Sequence, residues 1–166
     1  MEFIKASKTF YLNKSTYVNL RWIAIIGQLI TIFFVQFFLN FKFNYFTCIF
    51  IISLSVLTNF YLQFRFKENQ LNNFFSTVYL SFDILLLSIL FFLTGGITNP
   101  FIFLIIVPAV FSSQYLNIYS SIILVSLIIL ILTILTFYYI DLPHPSESHF
   151  HAPDYYLFAI PISIII

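Results

Sequence analysis

Apolar residues run almost unbroken through this chain, and short polar patches cut the run into lengths suited to crossing a lipid bilayer. Residues from about 18 to 39, 45 to 64 and 74 to 94 read as three spans, each bounded by polar or charged positions. A hydrocarbon core of about 30 Å takes about 20 helical residues at about 1.5 Å each, which is the length these runs offer. The residues that follow divide into Phe101–Tyr115 and Tyr119–Ile140, with Gln114 and Asn117 marking a very tight turn. The fourth span is short, and Pro108 inside it is expected to kink it. A polar segment, Asp141 to Asp154, precedes a sixth apolar run that opens at Tyr155 and is still continuing at Ile166. Those last 12 residues reach only about 18 Å as a helix, so the sixth span is expected to be truncated and the chain to be the N-terminal piece of a longer protein. The expected fold is an all-α integral membrane protein, a bundle of six transmembrane helices over residues 18–166 behind a cytoplasmic N-terminal segment, 1–17.

Composition agrees with that pattern. Of 166 residues, 61% are hydrophobic, 22% aromatic and 8% charged, against roughly 25% charged in a soluble domain. A soluble globule of this size could not hide so much apolar surface. The first 17 residues are polar and basic and the first apolar run is long enough to span, so no cleavable signal peptide is expected. Cys48 stands alone in an apolar run and reads as a small buried hydrophobe, with no disulfide or metal cluster available to it.

The net charge of +1 says little, but its distribution is lopsided. Lys5, Lys8, Lys14 and Arg21 precede or begin the first span, and Arg65 and Lys67 lie between the second and third. With the N-terminus in the cytoplasm, six of the seven basic residues face inward and only Lys42 faces out. That orientation puts Gly95–Phe101 and Asp141–Asp154 on the external side of a bacterial inner membrane.

Four groups of residues are candidates for chemistry. Gly95-Gly96-Ile97-Thr98-Asn99-Pro100-Phe101 is a compact glycine-rich insertion holding two of the chain's three glycines. The glycines free the backbone to turn and leave room for another molecule. Asn99 before Pro100 reads as the N-cap of the fourth span, and the exposed N–H groups of that start favour an electron-rich oxygen. With Phe101 as a flat apolar face, the stretch suits a planar, carbonyl-bearing lipophilic molecule, and equally a plain tight turn with a helix cap. Asp83, the one acid inside a span, is costly at that depth and reads either as a hydrogen-bonded carboxyl joining helices or as a proton-linked or signalling group. No basic residue is expected at matching depth to pair with it. Arg21, Gln28 and Gln36 share a stripe on the first span that is expected to face protein, for interhelical hydrogen bonds or ligand contact. Asn59, Gln63 and Gln114 read as structural in the same way. His144, His149 and His151, near Asp141, Glu147 and Asp154, match no metal motif and read as a solvated loop or an external metal or pH sensor. No phosphate-binding loop, activated nucleophile or paired carboxylates occur, so no catalytic residue and no metal site is expected.

Leu20-Arg21-Trp22-Ile23-Ala24, Gly27-Gln28-Leu29, Asp83 and the Gly-Gly-x-x-Asn-Pro-Phe heptapeptide together resemble the membrane sensor domain of the RegB/PrrB family of redox-responsive histidine kinases. The likeness covers essentially the whole chain, including a Pro-bearing segment, Leu142-Pro143-His144-Pro145, before the last span. It implies a quinone-sensing input domain of a two-component sensor kinase, with ubiquinone held at Gly95, Gly96, Asn99, Pro100 and Phe101 and with Asp83, Arg21 and Gln28 as intramembrane signalling positions. It further implies a homodimer in the lipid bilayer, a cytoplasmic ATP-binding kinase core and a cognate response regulator, and no nucleic acid as partner. These 166 residues carry neither kinase domain nor the family's redox-active cytoplasmic cysteine, so enzymatic activity is expected of an intact parent only. A polytopic transporter and a free-standing quinone-binding membrane protein are the competing readings.

Overall fold

A computed structural model describes residues 12–38, 43–65 and 70–140. The sixth apolar run and the three histidines lie outside them. Five helices dominate: α1, Lys14–Phe33; α2, Tyr45–Arg65; α3, Asn73–Leu93; α4, Val107–Tyr115; and α5, Ile118–Phe137. A π-helical turn, Phe34–Phe38, continues α1, and a short antiparallel pair, β1 (Leu12–Asn13) with β2 (Gln70–Leu71), ties the start of α1 to the start of α3.

Each helix buries a stripe and leaves the rest of its apolar surface outside. In α2 the buried positions are Cys48, Ile52, Ser55, Asn59 and Leu62, a strict alternation of four and three residues along one face. Outside that stripe Phe46 is 83% exposed and Phe64 77%. In water this would be untenable, since exposed apolar area is unfavourable by about 25 cal/mol per Å². Four helical segments, Lys14–Phe37, Tyr45–Arg65, Asn73–Leu93 and Ile118–Phe137, are long and apolar enough to cross a membrane, with mean hydropathy between 1.7 and 2.8. The chain is therefore an all-α membrane bundle, in which lipid covers the faces that protein does not.

α1 packs on α2, α2 on α3, and α5 against both α3 and α4. The main core joins Tyr17 and Val18 of α1 to Leu80 and Ile84 of α3 and to Leu124, Ile128 and Leu132 of α5, and a smaller one gathers Ile25, Ile32, Cys48, Ile52 and Leu90. Cys48 is fully buried, as a small apolar side chain would be.

Two features depart from the sequence pattern. Helix α1 starts at Lys14 rather than near 18, because the Asn13 side chain accepts the Ser15 N–H and caps it there. The fourth apolar segment opens as a 3₁₀ helix, Ile102–Ile106, and becomes α-helical at Val107, so Pro108 falls in the first turn of α4. The change of helix type accommodates the proline, whose missing N–H is not needed at a helix start. Five residues at about 2.0 Å and nine at about 1.5 Å give about 24 Å, longer than an α-helix of the same residues but still short of the bilayer core.

Candidate functional site

Two polar constructions interrupt the apolar bundle. The first is an ion pair between α1 and α3. Arg21 Nη2 lies 2.7 Å from Asp83 Oδ1 and donates to Thr58 Oγ1 on α2 at 2.8 Å. The Tyr17 hydroxyl donates to the other carboxylate oxygen, Oδ2, at 2.5 Å, and the Arg21 guanidinium sits 5.6 Å from the Tyr17 ring centroid. Tyr17 and Arg21 are one helical turn apart on α1, so both reach the same carboxylate. Asp83 thus does have a basic partner, contrary to the expectation from sequence. Depth counted along the helix places Arg21 nearer its helix start than Asp83 is to its own, and the long arginine side chain closes that difference. A charge so deep in the bilayer persists when an opposite charge and hydrogen bonds meet it. Arg21 Nη1 is buried without a partner among the described residues.

The rest of the expected polar stripe is uneven. Gln28 and Gln36 are half-buried, and the π-helical turn that contains Gln36 adds a residue to the local register. Asn59 is fully buried and donates to the Val18 carbonyl across the α1–α2 contact at 3.4 Å, which is the interhelical role expected of it. Gln63 and Gln114 are exposed, so neither side chain is sequestered between helices. Each is near a helix end, where periodicity says little about facing.

The second construction is the loop from α3 to the fourth segment. Gly95 and Gly96 have φ of +101° and +56°, and the chain turns back through a single 3₁₀ turn, Gly96–Thr98. These left-handed conformations are open to glycine and strained for other residues. Asn99 closes the turn with both ends of its amide. Its Nδ2 donates to the Thr94 carbonyl and to Thr94 Oγ1, each at 2.9 Å, while Oδ1 accepts the Phe101 N–H at 2.9 Å. Asn99 is not the N-cap read from the sequence: the fourth segment becomes helical only at Ile102, with Phe101 before it and no side-chain cap. Asn99 instead ends the preceding 3₁₀ turn, its amide groups serving the loop rather than standing free for a ligand.

The room left by the second glycine is likewise filled from within. A Cβ built on Gly96 would overlap the Tyr139 side chain. Next to it, the Gly95 N–H donates to the Ile140 carbonyl at 3.1 Å and the Ile140 N–H donates to the Phe92 carbonyl at 2.9 Å. Ile97 is fully buried, whereas Thr98, Pro100 and Phe101 face outward, with Phe101 40% exposed. The loop is therefore a closed turn whose Thr98 hydroxyl and Asn99 amide are bonded within it, with Thr98, Pro100 and the Phe101 ring on its outer side. Two apolar grooves lie on the helix flanks, one lined by Leu29, Phe33 and Phe37 and one by Ile129, Leu130 and Ile134, and neither includes a loop residue.

Tyr17, Thr58, Thr94 and Tyr139 escaped the sequence reading. Tyr17 alone carried a signal, its spacing of four from Arg21. Among the described residues no group of three histidine, cysteine or acidic side chains is placed to hold a metal ion.

Comparison with known proteins accords with this architecture. The family described as PilS-like transmembrane domain, a six-span (6TM) family, matches residues 13–165. The chain is 33% identical over 152 residues to the sensor histidine kinase RegB of Cereibacter sphaeroides, covering 91% of this chain and 33% of that protein. The chain thus spans about a third of the length of that curated relative. No solved structure matches it. The chain belongs to the PilS-like transmembrane domain family.

Proposed function

From that membership we propose that this domain is the membrane input of a sensor histidine kinase and that it reads the quinone pool at the Gly95–Phe101 loop. The observation that carries the reading is the loop's form. Its own hydrogen bonds fix it, and it offers the Pro100 and Phe101 side chains outward while Asn99 is engaged with Thr94. A rigid apolar ledge suits a flat ring delivered from the bilayer, and a preformed surface loses little freedom on binding. Asn99 and the two glycines then act by shaping the ledge, and Phe101 by touching the ligand.

In this reading oxidised ubiquinone and its quinol bind two packings of the bundle unequally, because a ligand shifts an equilibrium only by its differential affinity. The oxidised form favours the packing that restrains the kinase core, which binds ATP, works as a homodimer and passes phosphate to a response regulator. The heptapeptide and the likeness to RegB support this assignment.

Photolabelling with an azido-benzoquinone in nanodiscs tests it. Label is expected on the peptide carrying Pro100 and Phe101, and excess decylubiquinone should displace it. Phe101→Ala is expected to weaken binding roughly two- to tenfold, the range for one aromatic contact. Labelling spread evenly over the helices, indifferent to competitor, would overturn the assignment.

A further inference from the structure

Tyr139 and Ile140 lie just past α5, after its C-cap Tyr138, and they meet the loop that follows α3. Three contacts make the junction, two to the loop and one to the last turn of α3. The Tyr139 side chain occupies the space over Gly96 that any Cβ would fill. The Gly95 N–H reaches the Ile140 carbonyl, and the Ile140 N–H reaches the Phe92 carbonyl, so one residue is gripped by its donor and its acceptor. Ile140 is 48% exposed and therefore owes its position to these backbone bonds more than to burial.

We propose that Tyr139 is a positioning residue of the sensing loop, and that with Ile140 it latches the loop to the chain leaving α5, so that a change at the loop is handed to that chain without first repacking the helices. The second half of the inference rests on the quinone reading above; the latch itself does not.

The physical case concerns where a small displacement goes. Loop residues Thr94, Asn99 and Phe101 are tied to one another and move together. A quinone against Phe101 has two routes into the protein. One runs down α3 and α4, whose side chains are close-packed and resist small shifts. The other crosses directly to Ile140 through the Gly95 N–H, a single backbone hydrogen bond to an exposed residue, which is cheaper to rearrange. The second glycine thus serves an internal fit: it leaves the space that the Tyr139 side chain occupies.

Amide hydrogen exchange on the complete chain in nanodiscs separates the possibilities. Tyr139→Ala is expected to speed exchange of the Gly95 and Ile140 amides at least tenfold, with amides in the middle of α3 unchanged. Tyr139→Phe, which keeps the ring over Gly96, should restore the slow rate. Decylubiquinone should slow exchange at Ile140 in the wild type and not in Tyr139→Ala. Unchanged exchange in Tyr139→Ala overturns the latch. If the azido-benzoquinone labels the loop but Ile140 exchange ignores decylubiquinone, the hand-over is wrong and the quinone site stands. If the loop never labels, the quinone reading falls, and the Tyr139→Ala comparison still decides the latch.

Discussion

Arg21 and Asp83 show how one side chain decides the standing of another. Asp83→Ala leaves a buried guanidinium with Thr58 as its remaining hydrogen-bond acceptor among the described residues, in a setting where breaking such a pair costs about 3–5 kcal/mol. A large fall in the detergent melting temperature is expected. Replacing both charges, Arg21→Leu with Asp83→Leu, should recover most of it, because two apolar side chains carry no desolvation penalty in lipid. Equal losses in the single and double variants would show that the pair does not act as a unit. Tyr17→Phe removes one hydrogen bond to a charged acceptor, a loss of about 1.5–3 kcal/mol that leaves the ion pair standing. The glycines make an equally sharp contrast. Gly96→Ala meets both a left-handed backbone, unfavourable by about 1–2 kcal/mol, and the Tyr139 side chain. Gly27→Ala has open space around its Cβ and a helical backbone, and should stabilise α1 by roughly 0.5–1 kcal/mol. Melting curves that shift in opposite directions check the pair.

Among the elements, helix starts separate side chains that cap from those that only stand in the right place. Asn117 accepts the Ser120 N–H at the start of α5, whereas Asn72 makes no such bond before α3. Asn117→Ala is therefore expected to cost about 1 kcal/mol and Asn72→Ala nearly nothing, measured by the same melts. Sequence periodicity could not tell these two asparagines apart, since both precede an apolar run. It did convey the class of fold, because runs such as Tyr45–Arg65 are apolar on every face and end at charged or polar residues. What it missed has two physical sources. The choice between 3₁₀ and α over Ile102–Ile106, like the π-helical turn at Phe34–Phe38, shifts one hydrogen-bond register and is settled by packing rather than composition. The contacts that define the sites, Arg21 with Asp83 and Gly96 with Tyr139, join residues far apart in the chain, where spacing carries no information. Asn99 lies between these cases: a turn at Asn-Pro was legible, but the helix starts at Ile102 rather than at Pro100, and the grip of Asn99 on Thr94 was not legible.

At the scale of the whole molecule, the distribution of charge predicts the side of the membrane on which the loop opens. Translocation of a short basic segment is disfavoured, and residues 1–17 together with the end of α2 and the α2–α3 connection carry five of the seven lysines and arginines, Lys5, Lys8, Lys14, Arg65 and Lys67. Both belong to one side, and β1 paired with β2 holds the described ends of those two segments together. The loop at Gly95 sits at the far end of α3 and so opens on the other side. Cysteines placed at Thr98 and at Gln70, both exposed, report this directly, and buried Cys48 adds little background. In intact cells a membrane-impermeant maleimide should modify Thr98→Cys and spare Gln70→Cys until the membrane is permeabilised. The bias has depth to it. Neutralising Lys5, Lys8 and Lys14 still leaves Arg65 and Lys67 against Lys42, so the labelling pattern should survive that triple change. Labelling of Gln70→Cys from outside with Thr98→Cys protected would turn the bundle over, placing the loop, and any quinone it meets, in the inner leaflet.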